Sequence, residues 1–249
     1  MPVGVPDPVR RVVSLVPSLT ESVAVTAPGL LVGATDWCTH PAGLDVPRVR
    51  GTKNPDLDAV VALAPDVVLA NEEENRPTDI AALRSRGLAV WVTAPRTVDA
   101  GLDSLDRMLR LACRLPRPVW LDDAVEAWRA PYDGRAGSER DAERRRGICF
   151  IWRRPWMVLG RDTFAGDVLA RLGVDNVYAD HAERYPRVDI AALPPYDLVV
   201  LPDEPYAFGP DDGPEAFPGA AVACVSGRHL TWYGPSLAEA PAILASQLG

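Results

Sequence analysis

Two rows of acidic residues are the first groups in this sequence whose types and spacing could do chemistry. Glu72, Glu73 and Glu74 directly follow the short apolar run VVLA, and Asp203 and Glu204 follow the similar run LVVLP. A short apolar run flanked by helix-breaking residues predicts a strand that is buried on both faces. Because ligands and partners meet a parallel sheet at the carboxyl ends of its strands, both rows are candidates for contact with a partner.

Aromatic residues and arginines form a second set of candidates, because they fall in predicted loops or at strand ends rather than at the spacing of a core. Binding sites for small molecules combine apolar and aromatic walls with a few fixed polar groups. The predicted ligand contacts are Trp37, Trp152, Arg153, Trp156, Tyr185, Tyr206, Arg228, Trp232 and Tyr233. For each ring taken alone, packing that seals the edge of the fold is an equally good interpretation.

Motifs of the common enzyme classes are absent from the sequence. It contains no glycine-rich phosphate-binding motif, no GxSxG and no HExxH. Its three histidines, His40, His181 and His229, lie in separate segments, and its four cysteines form no CxxC pair. These features predict a protein that is not an enzyme and has no cofactor of its own.

Charge and hydropathy narrow the choice of partners. The formal net charge of −8 argues against nucleic acid, because phosphate binding relies on clustered Lys and Arg. No apolar run approaches the ~20 residues of a membrane span, and the first residues lack the apolar core of a secretory signal. The sequence therefore predicts a monomer that does not span a membrane. As the chain is written it would be cytoplasmic, and it would be extracytoplasmic if a leader has been removed.

The stretch around the first acidic row occurs twice. A predicted helix, a buried strand and an acidic exit occupy residues 54–76, and the same pattern returns at residues 188–204. At a constant offset, the residues Asp58, Asp66, Glu72 and Glu73 fall on Asp189, Asp197, Asp203 and Glu204. The match favours a duplicated lobe over chance. The predicted fold class is therefore α/β, with two similar α/β lobes joined by a helical connector and a ligand cleft between them.

Helix breakers and changes of composition set the predicted boundaries. The N-terminal lobe covers residues 1–96, a helical connector 97–130, a polar Arg-rich excursion 131–146, and the C-terminal lobe 147–249. Polar residues ahead of apolar periodic segments predict helix caps. These caps are Ser18 with Glu21 as a capping box, Asn54, Thr97, Thr163 and Ser236.

Several of these segments resemble a known family. The opening RVVSLVPSLTE, the segment NPDLDAVVALAPDVVLA and the duplicated lobe are similar to those of the class III periplasmic binding proteins. These helical-backbone receptors deliver vitamin B12, haem, ferric siderophores or metal ions to ABC importers, and the B12-binding branch is the most similar. The segments EEENR, FIWRRPWMVLGRDTF and LTWYGP also resemble a branch without a settled ligand. An intracellular corrinoid or tetrapyrrole binder that works without a permease is therefore an alternative.

The resemblance implies a ligand held between the lobes, with cobalamin or another metal-tetrapyrrole as the first expectation. Haem, a ferric siderophore or a metal ion are the alternatives. Aromatic rings would cover the flat face of the ligand, Arg153 and Arg228 would meet its polar edges, and His229 could reach its metal axially. The resemblance also implies docking on arginines of an ABC permease through one acidic residue of each lobe. The matching positions are Glu72, Glu73 or Glu74 and Asp203 or Glu204.

Two rival functions come from other classes. The first is a small-molecule enzyme whose candidate residues would be Glu73, Glu183 and His229. That interpretation requires these side chains to converge within hydrogen-bond reach. The second is a protein-interaction module that uses the acidic faces alone.

Overall fold

The computed structural model describes residues 4–129 and 144–249, and the chain divides into two compact units. Unit 1 comprises the residues up to Pro95 together with Leu102–Asp122 and Tyr233–Pro235. Unit 2 comprises Arg96–Gly101, the described part of Asp123–Trp232, and Ser236–Gly249. Each unit contains its own sheet with helices, so the predicted α/β fold class is confirmed. The predicted boundaries of lobes and connector stay predictions.

Unit 1 is built on a four-stranded parallel sheet. Its strands are β1 (Val12–Ser14), β2 (Leu31–Ala34), β3 (Arg50–Gly51), β4 (Asn54–Pro55), β5 (Val67–Asn71) and β6 (Val90–Thr93). Its helices are α1 (Pro17–Thr26), α2 (Leu57–Ala62) and α3 (Pro77–Ser85). The sheet has the order β2-β1-β5-β6, and β3 and β4 form a separate antiparallel pair. Val13, Val60, Val68 and Leu83 meet in a buried cluster, because the apolar faces of α2 and α3 pack on the sheet.

Two helices contain residues of both units. They are α4 (Val98–Arg107), which continues as a π-helical turn over Met108–Ala112, and α5 (Val119–Arg129). The predicted cap of the first helix is confirmed, since Thr97 Oγ1 accepts a hydrogen bond from the backbone N–H of Ala100 at 3.1 Å. Among the described residues, no helix is both long enough and apolar enough to cross a bilayer.

Unit 2 is built on a five-stranded sheet. Its strands are β7 (Arg145–Arg153), β8 (Trp156–Val158), β9 (Val174–Asn176), β10 (Leu198–Pro202) and β11 (Val222–Val225). Its remaining helices are α6 (Phe164–Arg171), α7 (Gly227–Thr231) and α8 (Ala240–Leu248). Four strands are parallel in the order β9-β7-β10-β11, and β8 pairs with β7 antiparallel. Ile148, Phe150, Val199, Leu201 and Phe217 belong to its buried core.

The two units share one strand arrangement, as the internal repeat predicts. In unit 1 the first strand β1 pairs with β5, and Val13 lies opposite Val68. In unit 2 the first strand β7 pairs with β10, and Ile148 lies opposite Val199. In both units the next strand, β6 or β11, lies on the other side of that pair. Val68 and Val199 are related by the same offset as the repeated aspartates, so the strands of the repeat are structurally equivalent.

One pair of repeated aspartates has the same role in both units. Asp66 Oδ2 accepts hydrogen bonds from the backbone N–H groups of Arg10 and Arg11, at 2.7 and 2.9 Å. Asp197 Oδ2 accepts from the backbone N–H of Arg146 at 2.9 Å, and its other oxygen accepts from the Arg146 guanidinium. Each aspartate therefore ties the start of its own strand to the start of the first strand of its unit.

Three predicted helix caps are wrong. Asn54 pairs with Gly51 in β4, so it precedes the helix, and α2 begins after Asp56, whose carboxylate accepts from the backbone N–H of Ala59 at 3.0 Å. Ser18 lies inside the first turn of α1, because that helix already begins at Pro17. Ser236 lies in a short 3₁₀ turn, and Glu239 is the residue that precedes α8.

Other local predictions are confirmed or lie in part outside the described residues. Thr163 caps α6, since its Oγ1 accepts from the backbone N–H of Gly166 at 3.2 Å. The strand at Trp156, β8, pairs antiparallel with β7. The predicted polar excursion falls largely on residues 130–143, outside the described residues. The last two residues of its predicted range, Arg145 and Arg146, belong to β7.

Candidate functional site

Two buried asparagines build the turn that carries Glu72, Glu73 and Glu74, here called the acidic turn. The side-chain oxygen of Asn71 accepts hydrogen bonds from the backbone N–H groups of Glu73 and Glu74, at 2.7 and 3.1 Å. The side-chain oxygen of Asn75 accepts from the backbone N–H of Asn71 at 2.8 Å. Asparagine favours turns because its side chain can replace a backbone partner in this way. The side-chain amides of Asn71 and Asn75 therefore fix the backbone of the acidic turn.

The same asparagines join the acidic turn to the rest of unit 1. Asn75 Nδ2 donates to the carbonyl oxygens of Leu15 and Thr52, at 3.3 and 3.0 Å. Asn71 Nδ2 donates to the carbonyl oxygen of Thr93 at 3.1 Å and to the phenol oxygen of Tyr233 at 2.6 Å. Both asparagines are almost fully buried, and such groups are costly to leave without partners. Neither asparagine is among the predicted site residues, although the two asparagines that flank the acidic row in NEEEN were the available signal.

Tyr233 is a buried part of this network rather than an exposed loop residue. Its ring is 7% exposed, and its phenol oxygen lies 2.7 Å from Thr93 Oγ1 as well as within hydrogen-bond distance of Asn71. Gly234 allows a close approach, because a Cβ there would meet the carbonyl oxygen of Ser18 at 3.0 Å. The predicted ligand contact of Tyr233 stays a prediction. In the structure its side chain is buried and hydrogen-bonded.

The carboxylates of the acidic turn differ in their surroundings. Glu72 is exposed, and Glu73 and Glu74 are half-buried. Burial raises the pKa of the Glu74 carboxyl, and the Lys53 ammonium acts in the opposite direction. Lys53 Nζ donates to the backbone carbonyl oxygen of Glu73. The lysine therefore places a positive charge beside an otherwise negative turn.

At the equivalent exit of unit 2, the acidic side chains themselves hold the structure. Asp203 Oδ1 accepts a hydrogen bond from the backbone N–H of Gly227 at 2.6 Å. Glu204 Oε2 accepts from Trp232 Nε1 at 2.8 Å. Gly227 is needed there, since a Cβ would lie 2.6 Å from the backbone nitrogen of Glu204. Trp232, a predicted ligand contact, is 8% exposed. Its indole is therefore buried and hydrogen-bonded to Glu204, which is itself a predicted docking residue.

Three of the predicted ligand contacts meet in an aromatic cluster of unit 2. The cluster consists of Phe150, Trp152, Trp156, Tyr206, Phe208 and Phe217. Trp156 stacks with Phe208 at a centroid distance of 6.1 Å, and Tyr206 lies 4.6 Å from Phe208. Trp152 meets Tyr206 edge to face at 5.5 Å and remains 41% exposed. The cluster therefore runs from the buried core of unit 2 to an exposed indole. Its buried members pack against one another, and ligand contact by Trp152, Trp156 and Tyr206 stays a prediction.

Arg153 supports this cluster from one side. Its guanidinium forms ion pairs with Asp212 and Glu215 and lies 5.4 Å from the centre of the Trp156 ring. Tyr206 donates to the same Asp212 carboxylate at 2.7 Å. Because Arg153 is occupied by two carboxylates, contact with a ligand would require the guanidinium to exchange or share these partners.

Trp37 and Tyr185 lie apart from this cluster in the described contacts. Trp37, in unit 1, is 66% exposed. Its loop is fixed by Arg48, which donates to the carbonyl oxygens of Thr35 and Cys38, both at 2.9 Å. The neighbouring Cys38 is buried, and burial raises the pKa of its thiol. In unit 2, the guanidinium carbon of Arg184 lies 5.6 Å from the centre of the half-buried Tyr185 ring.

His229 has hydrogen-bond partners at both ring nitrogens. Its Nδ1 lies 2.7 Å from Ser226 Oγ, and its Nε2 lies 3.1 Å from Glu239 Oε1. Arg228 Nη1 lies 3.3 Å from both His229 Nε2 and Glu239 Oε1. An axial bond to a metal would therefore have to replace one of these contacts. Among the described residues, no group of three or more His, Cys, Asp or Glu side chains is arranged to hold a metal ion.

The sequence and the fold are similar to those of known binding proteins. The sequence model of the periplasmic binding protein family matches residues 12–195. A vitamin B12-binding protein of Vibrio cholerae is 23% identical over 187 residues, which are 74% of this chain and 67% of the relative.

Solved structures extend the likeness of fold to nearly the whole chain. The crystal structure of the periplasmic vitamin B12-binding protein of Vibrio cholerae has a TM-score of 0.78 at 19% identity and covers 97% of both chains. The structure of a periplasmic heme-binding protein from Pseudomonas aeruginosa has a TM-score of 0.77 at 22% identity, and it covers 96% of this chain and 92% of the other.

Proposed function

We propose that this chain, which belongs to the periplasmic binding protein family, binds a bulky metal-containing ligand with a flat apolar face. A cobalamin or another corrinoid is the first candidate. Haem, a ferric siderophore and a metal ion are the alternatives within the same fold. The observation that carries the binding function is the family match over residues 12–195. The choice of corrinoid first rests on the likeness to a vitamin B12-binding protein.

The aromatic cluster supports a flat ligand. The exposed indole of Trp152 contacts the Tyr206 ring edge to face. Trp152 Nε1 donates a hydrogen bond to the carbonyl oxygen of Arg154 at 3.1 Å. A ring fixed in this way loses little conformational freedom when a ligand covers it. Burial of apolar area stabilises such contact by roughly 25 cal/mol per Å². We assign the ligand contact to Trp152 first and to Trp37, the other largely exposed indole, second.

Titration of the purified protein with cyanocobalamin and with haemin tests this proposal. We expect one of the two compounds to quench tryptophan fluorescence in a saturable way. If the Trp152 ring covers on the order of 60 Å² of ligand, the Trp152→Ala change weakens binding by about 1.5 kcal/mol, a factor of about ten in Kd. Trp120→Phe is the matched control, because Trp120 is half-buried in unit 1 and its Nε1 bonds to Thr26 Oγ1.

Each outcome of the titration decides one point. Absence of saturable quenching by either compound would reject the tetrapyrrole class and leave siderophores and metal ions to be tested in the same way. Equal affinity of the wild type and the Trp152→Ala protein, with equal thermal unfolding midpoints, would reject Trp152 as the contact.

We further propose that the acidic turn docks on arginines of an ABC permease and that the protein serves ligand uptake. The acidic turn suits this role because Asn71 and Asn75 fix its backbone at the carboxyl end of β5, and because it carries three carboxylates. Asp203 and Glu204 are the proposed partners in unit 2, although their side chains also hold Gly227 and Trp232. The proposed compartment is the cytoplasm for the chain as written and the extracytoplasmic side if a leader has been removed. Fractionation of expressing cells distinguishes the two.

The binding proposal assigns no chemical step to the ligand. The rival enzyme relied on Glu73, Glu183 and His229. Glu73 belongs to unit 1 and the other two belong to unit 2, where the carboxylate that contacts His229 is that of Glu239 rather than Glu183. No observation on the described residues brings those three candidates together, so binding remains the proposed function.

A further inference from the structure

Three side chains of unit 2 form a hydrogen-bonded series of hydroxyl, imidazole and carboxylate. Ser226 Oγ lies 2.7 Å from His229 Nδ1, and His229 Nε2 lies 3.1 Å from Glu239 Oε1. The order and distances are those of a nucleophile, a general base and the group that orients the base. None of the three belongs to the aromatic cluster or to the acidic turn.

Two of these residues stand at helix starts and do not cap their helices. Ser226 precedes α7, where serine usually accepts a hydrogen bond from the backbone N–H three residues on. Its hydroxyl makes no such bond and is directed to the His229 ring instead. Glu239 precedes α8 and likewise makes no side-chain cap. Both side chains are therefore committed to the imidazole between them.

The surroundings favour the tautomer in which His229 can accept a proton from Ser226. The hydrogen bond from His229 lowers the pKa of the Glu239 carboxyl, and Arg228 acts in the same direction, so Glu239 is a carboxylate at neutral pH. A carboxylate only accepts hydrogen bonds, so the 3.1 Å contact with Glu239 requires a proton on His229 Nε2. Arg228 Nη1, which lies 3.3 Å from both atoms, then donates to Glu239 Oε1 and not to His229 Nε2. In a neutral imidazole, Nδ1 is then the acceptor and takes its hydrogen bond from the Ser226 hydroxyl.

The backbone around Ser226 is held on both sides. Its N–H donates to Gln247 Oε1 at 2.9 Å, and its carbonyl oxygen accepts from the N–H of Leu230 at 3.1 Å. The next residue, Gly227, is fixed by Asp203 as described above. His229 is buried, whereas Ser226 is half-buried and Glu239 is exposed. The hydroxyl is thus positioned by its neighbours while its residue still reaches solvent.

We propose that Ser226 is a nucleophile that is acylated by activated carboxylic esters, with His229 as its general base and Glu239 as the positioning residue. In the acylation step, Ser226 Oγ transfers its proton to His229 Nδ1 and forms a bond to the carbonyl carbon of the ester. The bond from that carbon to the leaving oxygen then breaks, and His229 returns the proton to the leaving group. The products are an acyl-serine and an alcohol or phenol.

Labelling of the full chain tests this proposal. The protein is incubated with p-nitrophenyl acetate or with a fluorophosphonate probe, which forms a serine Oγ–phosphorus bond as fluoride leaves. Peptide mass spectrometry then locates the adduct. We expect it on Ser226, together with about one equivalent of p-nitrophenolate released in an initial burst. Ser226→Ala should abolish this adduct, and His229→Gln should slow its formation by at least about 100-fold, the lower range for general base catalysis.

Two further variants separate chemistry from structure. Glu239→Gln should slow labelling by less than His229→Gln does, and Glu239→Asp should recover part of the rate, because a carboxylate again faces Nε2. Ser85→Ala is the matched control, since the exposed Ser85 hydroxyl bonds only a backbone carbonyl and has no imidazole beside it. Its labelling rate should equal that of the wild type. Thermal unfolding midpoints show that each variant is folded.

Two results would overturn the proposal. One is labelling of the wild type that spares Ser226. The other is labelling of Ser226 at an unchanged rate in folded His229→Gln protein, because the serine would then not depend on its base.

Discussion

The two units have the same strand arrangement, but they carry different side chains at the carboxyl ends of the equivalent strands. In both, an aspartate, Asp66 or Asp197, ties the start of the central strand to the first strand. At the other end, unit 1 pairs Asn71 of β5 with Thr93 of β6. The equivalent pair in unit 2 is formed by Pro202 and Val225, which offer no side-chain donor.

This difference decides what the acidic residues do. In unit 1 the amide of Asn71 holds the backbone of the acidic turn. In unit 2 no amide stands at that position, so Asp203 holds the backbone of Gly227 and Glu204 holds the Trp232 indole. Of two similar acidic rows in the sequence, the row in unit 2 therefore supplies structural acceptors itself, whereas in unit 1 an amide supplies the acceptor that holds the turn.

The largest expected effect comes from removing the amide. Asn71→Ala removes the side-chain acceptor of the Glu73 and Glu74 backbone N–H groups and one of the two hydrogen-bonding side chains at the Tyr233 phenol, Thr93 being the other. We expect unit 1 to lose about 3 kcal/mol of unfolding free energy, because unsatisfied buried groups cost about 1–3 kcal/mol each and part of this loss is recovered by water. Urea unfolding of the wild type and the variant measures it. A loss below about 1 kcal/mol would mean that the acidic turn does not depend on Asn71.

Acid should act on the two units in opposite directions. The Arg146 side chain and backbone N–H lower the pKa of Asp197 to about 2, below its unfolded value of about 4. Its stabilising contribution to unit 2 is therefore present above about pH 4 and is lost as pH falls toward 2. Burial raises the pKa of Glu74, so its contribution to unit 1 is favourable at low pH and is lost as pH rises through that raised value.

Hydrogen exchange across a pH series separates these two contributions. Asp197→Asn should flatten the acid-dependent loss of protection in β7 and β10. Glu74→Gln should stabilise unit 1 at pH 7 and make no difference below about pH 4, where the wild-type carboxyl is protonated as well. The comparison fails if Glu74→Gln destabilises unit 1 at neutral pH.

The smallest effects on stability are expected for substitutions of single acidic residues at the two strand exits. Glu72→Gln should change the unfolding free energy by less than about 0.5 kcal/mol, as is usual for exposed positions. Glu204→Gln should cost about 1 kcal/mol, because Trp232 Nε1 exchanges a charged acceptor for a neutral one.

The Glu72→Gln variant also tests permease docking. Glu72→Gln should lower ligand uptake by cells while ligand affinity in solution is unchanged. Unchanged uptake in that variant, or equal stability losses at Glu72 and Glu204, would remove the distinction between the two acidic rows.

The strands and their repeat could be predicted because their signal is local. A strand buried on both faces appears as a continuous apolar run, and Asp66 and Asp197 stand at the equivalent starts of two such runs. The cap at Asn54 was wrong because that residue pairs with Gly51, a partner that a local pattern does not reveal. Asp189 caps its 3₁₀ turn as Asp56 caps α2, so its structural counterpart is Asp56 rather than the aligned Asp58.

The site could be predicted only in part, because position in a loop does not determine burial. Trp232 and Tyr233 follow a short helix and look exposed in the sequence, yet both side chains are buried on partners far away in the chain. Ser226 and Glu239 flank His229 at distances that match no known short motif. Their contact with the imidazole depends on the turn between α7 and α8, which the sequence pattern did not reveal.

The place of Tyr233 in the chain has a consequence for biosynthesis. Unit 1 takes residues Tyr233–Pro235, which follow all the strands of unit 2 in the chain, and the Tyr233 phenol hydrogen-bonds to Asn71 and Thr93. A ribosome that has translated the chain only as far as Pro95 has therefore not yet supplied this tyrosine. A nascent chain arrested before Tyr233 should remain sensitive to protease around Asn71, and resistance should arise only once residues 233–235 have left the ribosome.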